Sequence, residues 1–234
     1  MMNHVKYQYK WIIVCFFIPF FIGCGNQKNE NADKPILQKP IEETTKPTSE
    51  LKKKVILFFG NSLTAGYGLE ENQAFTALIQ DRIDSLNLNY QVVNAGLSGE
   101  TTAGGLGRIE WVLEQTIDIF VLELGGNDML RGFNIEATES NLRAIIEKVK
   151  AKNAEIRIII AGMQAPPNMG KDYTDRFEKI YFQLADEYQT GLIPFLLKDV
   201  GGIKSLNQSD GIHPNAEGQK VIRENVWEEL KKFL

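Results

Sequence analysis

The chain has 234 residues, of which 43% are hydrophobic and 24% are charged, and its formal net charge is −4 at pH 7. A mildly acidic chain lacks the concentrated positive charge that nucleic-acid binding needs, so no nucleic-acid partner is expected. Its two cysteines both lie within the first 24 residues, so no disulfide, cysteine nucleophile or zinc–thiolate site is expected beyond them.

Residues 1–23 have the pattern of a secretory signal peptide. Lys6 and Lys10 precede an apolar run from Trp11 to Ile22, which is shorter than the roughly 20 residues that span a bilayer. Cys24 follows this run directly after a glycine, and the arrangement resembles a bacterial lipobox. The resemblance implies that Cys24 is lipidated and becomes the first mature residue. An ordinary signal peptide or an uncleaved anchor is the alternative.

Residues 24–51 are predicted to be the lipidated cysteine and a flexible tether. They are rich in Asn, Lys, Glu, Thr and Pro and contain few large apolar residues, which is typical of solvated segments. Each buried methylene of an attached acyl chain contributes about 0.8 kcal/mol to membrane binding, so two or three acyl chains anchor a protein far more firmly than one. We therefore expect a membrane-anchored lipoprotein of the bacterial cell envelope, facing either the periplasm or the cell surface.

Residues 52–234 are predicted to be one domain in which strands and helices alternate. Continuous apolar runs predict strands buried on both faces, and apolar residues at helical spacing predict helices. In chain order these are a strand at 55–59, a helix at 72–86, a strand at 90–95, a helix at 104–115, a strand at 118–124, a helix at 136–152, a strand at 155–161, a helix at 173–189, a strand at 192–195 and a helix at 215–233. The alternation predicts a parallel sheet with helices on both faces.

Chemistry-bearing motifs follow four of these strands. Gly60-Asn-Ser62, Asn94-Ala-Gly-Leu-Ser-Gly99 and Gly125-Gly-Asn127 follow the first three, the last as a predicted turn, and Asp210-Gly-Ile-His213 follows the fifth. Ligands of parallel α/β sheets bind outside the carboxyl ends of the strands. We therefore expect these motifs to meet along one edge of the sheet.

Ser62, His213 and Asp210 are the candidate catalytic residues. His213 is the only histidine beyond the N-terminal segment, and histidine is the usual general base because its ordinary pKa is about 6.5. It would activate the Ser62 hydroxyl, while Asp210 orients its ring. Considered separately, Ser62 would be a helix N-cap, His213 a surface residue and Asp210 a turn residue.

Three groups are candidate donors to an oxyanion: the backbone N–H of Ser62, Gly99 and the side-chain amide of Asn127. One such donor contributes roughly 2.7–4 kcal/mol in the transition state. The alternative for the glycines before Asn127 is a tight turn at the end of a strand, and Asp128 is expected to cap a helix or turn.

Taken together, the motifs resemble a known family. Gly60-Asn-Ser62-Leu63, Asn94 to Gly99, Glu123-Leu-Gly-Gly-Asn127-Asp128 and Asp210-Gly-Ile-His213-Pro214 are similar to blocks I, II, III and V of the GDSL/SGNH hydrolases, in particular the arylesterase, lysophospholipase and acyl-CoA thioesterase branch. The resemblance implies a flavodoxin-like three-layer α/β/α sandwich with a five-stranded parallel sheet. It also implies the Ser62–His213–Asp210 triad, the oxyanion hole above, and no metal or organic cofactor.

The chain departs from the family at Asn61, because the residue before the serine is usually Asp. Asn keeps the shape and an acceptor oxygen but loses the charge. We expect this change to tune the site, and the alternative is a catalytically weak, tethered binding module.

Apolar residues near the motifs suggest the substrate. We expect a monomeric serine esterase of short- to medium-chain acyl or aryl esters, with lysophospholipids and thioesters possible as substrates. A carbohydrate O-deacetylase of the same superfamily is the alternative, and ordinary loop packing is the alternative for the side chains themselves. The candidate substrate-binding residues are Tyr67, Met129, Leu130, Phe133, Met163 and Pro166.

Overall fold

Five parallel strands form the centre of the domain in a computed structural model, which describes residues 52–234. The predicted signal peptide, Cys24 and the tether lie outside the described residues. The strands are β1 (Lys54–Gly60), β2 (Tyr90–Gly96), β3 (Ile119–Glu123), β4 (Arg157–Ala161) and β5 (Gly191–Ile193).

Seven α-helices occupy the connections between and around these strands in the described part of the chain. They are α1 (Ser62–Ala65), α2 (Phe75–Ser85), α3 (Thr102–Val112), α4 (Gly126–Leu130), α5 (Ile135–Lys152), α6 (Lys171–Tyr188) and α7 (Ala216–Leu230). Short 3-10 turns lie at Glu71–Gln73, Pro167–Met169, Lys204–Leu206 and Lys231–Phe233. None of the helices within residues 52–234 is long and apolar enough to cross a membrane.

In the strand order β2-β1-β3-β4-β5, the direction in which successive strands are added to the sheet reverses beside β1. This is the flavodoxin-like order, in which the crevice at the switch point takes the ligand. Gly60, the last residue of β1, pairs with Gly96 on one side and Glu123 on the other. The loops that follow the first three strands therefore begin at one level, and the prediction of a flavodoxin-like three-layer α/β/α sandwich with a five-stranded parallel sheet is confirmed.

Neighbouring side chains of β1 show how the helices cover both faces of the sheet. Phe58 packs edge-on against Phe75 of α2, with ring centroids 5.5 Å apart. The next residue, Phe59, faces the opposite side, where it lies beside Gly105 of α3. Successive strand residues point to opposite faces, so α2 and α3 cover different sides of the sheet.

The structure differs from the predicted elements in two informative places. β5 ends at Ile193, although the apolar run continues to Phe195, because Pro194 has no N–H to donate to a neighbouring strand. The predicted turn after β3 is helix α4, which starts from Gly125 in the left-handed region at φ 108°. Other boundaries move by a few residues.

Candidate active site

The Ser62 turn is built by the end of β1 and the start of α1. Asn61 caps this short helix, since its Oδ1 accepts a hydrogen bond from Leu63 N at 2.9 Å. Gly60 must lack a side chain, because a Cβ there would lie 2.2 Å from Thr64 Oγ1 and 2.6 Å from Glu123 Oε2. Ser62 is 8% exposed, and it lines a cavity at the carboxyl edge of the sheet.

His213 lies beside Ser62, although 151 positions separate them in the sequence. His213 Nε2 is 2.9 Å from Ser62 Oγ, and His213 Nδ1 is 2.7 Å from Asp210 Oδ2. When Nδ1 carries the proton and donates a hydrogen bond to the carboxylate, Nε2 is free to accept the proton of Ser62. The structure thus brings the three predicted catalytic residues into one hydrogen-bonded chain.

Asp210 is held as an anion by the loop that contains His213. Backbone N–H of His213 donates to Asp210 Oδ1 at 3.0 Å, the imidazole donates to Oδ2, and Ile212 N donates to Oδ1 at 2.9 Å. These hydrogen bonds, the His213 backbone bond first, lower the pKa of Asp210 to about 2. The carboxylate therefore remains charged throughout the neutral range.

Gln208 joins the His213 loop to the loop that follows Ser62. Its Nε2 donates to the carbonyl of Tyr67 at 2.7 Å and to that of Pro214 at 3.1 Å. Its backbone N–H donates to the His213 carbonyl at 2.7 Å. The distance between Ser62 and His213 is therefore fixed by a cross-link that involves neither residue's side chain.

The predicted oxyanion donors lie around the same edge. Asn127 lines the cavity with Ser62, and its Nδ2 donates to the Glu100 carbonyl at 2.9 Å, which orients the amide. Gly99 has a left-handed φ of 80°, and its carbonyl accepts from Arg131 Nη2 at 2.9 Å. Gly99 does not line the cavity.

Asp128 acts as a cap, but for a helix other than its own. Its carboxylate accepts from Thr102 N at 2.8 Å and Thr102 Oγ1 at 2.6 Å, at the first residue of α3. Asp128 thereby fastens α4, which carries Asn127, to α3.

The cavity has a volume of about 540 Å³ and a mostly apolar lining. Ligand-binding cavities in proteins commonly measure about 300–1,000 Å³. Within it are four of the six predicted substrate-binding residues, namely Met129, Leu130, Met163 and Pro166.

The other two predicted substrate-binding residues lie elsewhere. Phe133 does not line the cavity and is 45% exposed. Tyr67 packs its ring against the His213 ring, with centroids 4.6 Å apart and planes tilted by 41°. Tyr67 therefore contacts the candidate base and not the cavity.

Part of the cavity wall was not predicted from the sequence. Phe195, Leu197 and Ile212 line it, and they belong to the long segment between β5 and α7. This segment has no periodic pattern. Phe195 was predicted as the end of a strand, and only the position of Leu197 and Ile212 after that strand could have indicated them. Within residues 52–234, no cluster of three or more His, Cys, Asp or Glu could hold a metal ion.

Glu123 is a further residue of the site that was not predicted from the sequence. It is 1% exposed, and its Oε2 accepts from Asn61 N at 3.0 Å and Thr64 Oγ1 at 2.8 Å. Its Oε1 accepts from Asn61 Nδ2 at 2.7 Å. Burial raises the pKa of Glu123 to about 7, and the hydrogen bonds from Asn61 and Thr64 oppose this rise. The available signal was an acid at the end of an otherwise apolar strand.

Comparison with known proteins places most of this domain in one family. Residues 58–221 match the GDSL-like Lipase/Acylhydrolase family. The chain is 39% identical over 188 residues to Esterase TesA of Pseudomonas aeruginosa, an alignment that covers 80% of this chain and 92% of that protein. It is 40% identical over 180 residues to Thioesterase 1/protease 1/lysophospholipase L1 of Escherichia coli K12, covering 76% and 84% respectively.

A solved structure is similar over the same region. The crystal structure of TesA superposes with a TM-score of 0.74 at 40% sequence identity, and the match covers 77% of this chain and 100% of the other. The similarity thus includes the whole of that protein's chain.

Proposed function

Because this chain belongs to the GDSL-like lipase/acylhydrolase family and is a carboxylic ester hydrolase, we propose that Ser62, His213 and Asp210 are its catalytic triad. One observation carries the proposal: a continuous hydrogen-bonded chain runs from Ser62 Oγ through the imidazole to the Asp210 carboxylate, at the wall of an apolar cavity. This arrangement is the one that activates a serine hydroxyl.

The proposed reaction proceeds through an acyl-enzyme. Ser62 Oγ attacks the acyl carbonyl as His213 Nε2 takes its proton, and the resulting imidazolium is stabilised by Asp210. His213 then gives the proton to the leaving alcohol or thiol. A water molecule, deprotonated by His213, hydrolyses the acyl-Ser62 ester and returns the serine.

We assign the oxyanion hole to Ser62 N, Gly99 N and Asn127 Nδ2. The hydrogen bond from Asn127 to the Glu100 carbonyl uses one of its two amide protons and leaves the other for substrate. The left-handed backbone at Gly99 turns the chain sharply after β2, where it can present an N–H to the edge.

The substrate class that we propose is short- to medium-chain acyl or aryl esters, with lysophospholipids and thioesters as candidates. The apolar wall formed by Met163, Pro166, Phe195 and Leu197 supports an acyl chain over a sugar. The relatives carry the names esterase and thioesterase/lysophospholipase, which agrees with an acyl substrate.

A fluorophosphonate probe tests the triad directly. Wild-type protein should be labelled on Ser62, whereas S62A should not be labelled and H213A should be labelled far more slowly. Turnover of p-nitrophenyl acetate, p-nitrophenyl octanoate and an acetylated sugar then compares the esterase with a deacetylase. Absence of an adduct on wild-type Ser62 would end the catalytic proposal in favour of a binding module, and faster turnover of the sugar would favour the deacetylase.

We also propose that Cys24 is acylated and anchors the domain to a membrane of the cell envelope. Metabolic labelling with an alkyne fatty acid should mark the wild-type protein and C15S but not C24S. Labelling of C24S equal to that of C15S would contradict this assignment. We propose that the domain is a monomer. Light scattering of residues 52–234 measures its oligomeric state.

A further inference from the structure

Asn61 connects the Ser62 turn to a buried carboxyl group. Its Oδ1 accepts from Leu63 N at 2.9 Å, and its Nδ2 donates to Glu123 Oε1 at 2.7 Å. Glu123 Oε2 in turn accepts from Asn61 N at 3.0 Å. The backbone N–H and the side-chain amide of Asn61 therefore each donate to one oxygen of Glu123, and the two hydrogen bonds close a ring directly before Ser62.

We propose that Glu123 is a positioning residue for Ser62, acting through Asn61, and that the pair works because one member is an amide and the other a carboxylate. This inference rests on the proposed role of Ser62 as the nucleophile. Glu123 touches neither the cavity nor His213, so it affects the reaction only through the geometry of the turn.

Two backbone N–H groups fix the direction in which the hydrogen bonds of this ring run. Leu63 N–H must be accepted by the side chain at position 61, and Asn61 N–H must be accepted by the side chain at position 123. The Nδ2 group of Asn61 then faces position 123, which must present an oxygen. Glu123 presents one, and none of its hydrogen-bond partners within residues 52–234 carries a positive charge.

Exchanging amide and carboxyl at these two positions consequently gives three different outcomes. E123Q sets an N–H against an N–H in every orientation of the two amides, which leaves a buried donor without an acceptor. In N61D/E123Q every donor has an acceptor, because the hydrogen bond between the two side chains then runs in the opposite direction, from position 123 to position 61. N61D alone is satisfied only while the two carboxyls share a proton, because two adjacent buried carboxylates cannot both ionise.

The surroundings make the N61D variant sensitive to pH. Thr64 Oγ1 donates to Glu123 from α1, and Tyr181 on α6 faces the same region, where its hydroxyl donates to the Leu124 carbonyl at 3.0 Å. Burial first, and then the charges of Glu123 and Asp128, raise the pKa of Tyr181 well above its ordinary value, so it stays neutral. Neither neighbour supplies a cation to compensate a second carboxylate.

The test is a double-mutant cycle of E123Q, N61D and N61D/E123Q, assayed with p-nitrophenyl acetate from pH 6 to pH 9. E123Q should lower kcat by up to about 100-fold, as a displacement of roughly 1 Å at a reacting group does, while KM changes little. N61D/E123Q should recover kcat to within a few-fold of wild type. N61D should be active at low pH and lose activity with rising pH more steeply than the wild type and the double variant.

The controls separate this inference from the proposed function and from general damage. E147Q makes the same substitution on α5, away from the site, and should leave kcat unchanged. Circular dichroism and thermal unfolding report the folding of each variant. If E123Q does not fold, N61D and N61D/E123Q still test the pair, because activity should fall with rising pH more steeply in N61D than in N61D/E123Q.

Two results would overturn the inference while the nucleophile assignment stands. One is E123Q with wild-type kcat, and the other is N61D/E123Q no more active than E123Q, each with Ser62 still labelled by the fluorophosphonate. Loss of wild-type labelling at Ser62 would instead contradict the proposed function.

Discussion

Tyr67 covers one face of the His213 imidazole, which limits the rotation of that ring. In the proposed cycle His213 carries a positive charge in both transition states. The face of an aromatic ring attracts a cation by about 0.5–1 kcal/mol at a partly exposed position. The same contact thus orients the base and stabilises its charged form.

Replacing Tyr67 separates this role from substrate binding. Y67A should lower kcat by about 2- to 5-fold, the equivalent of 0.5–1 kcal/mol, and Y67F should retain wild-type kcat because it keeps the ring. Steady-state kinetics with p-nitrophenyl acetate measure kcat and KM. A rise in KM with unchanged kcat in Y67A would instead indicate that the ring binds substrate.

Asp210 gives a second prediction at the residue scale. Its lowered pKa, about 2, means that the carboxylate keeps its charge as the pH falls to about 4, so Asp210 does not titrate in the range of the assay. D210N should reduce kcat by up to about 10⁴-fold at every pH from 5 to 9, because the imidazole loses its orienting anion. A D210N variant whose activity returns to the wild-type value at high pH would contradict this role.

Helix α3 packs against the sheet at a position that has no side chain. A Cβ at Gly105 would lie 2.4 Å from Leu124 Cδ1 and 3.1 Å from Phe59 Cε1, so this helix lies very close to the sheet. Gly107, two positions further along the same helix, is exposed, and a Cβ there would have no neighbouring atom within 4 Å. Of these two glycines of α3, only Gly105 is therefore required by the packing of the helix on the sheet.

Alanine substitutions at these glycines should have opposite effects. G105A should lower the free energy of unfolding by about 1–3 kcal/mol through overpacking. G107A should raise it by about 0.5–1 kcal/mol, because alanine restricts the unfolded chain and favours the helix. Urea unfolding of both variants measures the difference, and equal values would show that α3 can shift away from the sheet at little cost.

Sequence patterns predicted the elements whose burial repeats with a simple period. Leu142, Ile145, Ile146 and Val149 of α5 are fully buried, as their spacing predicts, and the apolar β1 lies inside the sheet between β2 and β3. The end of β5 was wrong because apolar character extends past Pro194, which cannot continue the ladder.

The candidate site was less predictable where its contacts have no local signal. Ser62, His213 and Asp210 lie in short motifs, and the shared edge of a parallel sheet explains why they meet. Glu123 contacts Asn61 across 62 positions, and nothing in the sequence around either residue specifies that partner. Phe195, which was predicted as the last residue of a strand, instead follows β5 and lines the cavity.

At the scale of the whole molecule, Glu123 links stability to pH. Its pKa is about 7 in the folded protein and about 4.5 when exposed, so the folded state binds the proton more tightly. The associated stabilisation is complete below about pH 4.5 and is lost as the pH rises through 7, a change on the order of 3 kcal/mol. Asp210 and Glu224, whose pKa values are lowered to about 2, act with the opposite sign and only at acidic pH.

Unfolding of wild type and E123Q at two pH values isolates this contribution. The free energy of unfolding of the wild type should fall between pH 5 and pH 8 by more than that of E123Q, which has no proton to lose. Urea titrations at both pH values, with E147Q as the matched control, provide the comparison. Parallel changes in all three proteins would show that Glu123 does not titrate in this interval.

Both ends of the described domain lie at the edge of the sheet opposite the cavity. β1 begins there at Lys54, and Arg157, the first residue of β4, donates a hydrogen bond to the carbonyl of Phe233 near the C-terminus. A bead or a fluorescent protein attached at residue 52 or at Leu234 is thus joined on the side of the domain away from the cavity. Immobilisation through either terminus should leave the mouth open to incoming solute.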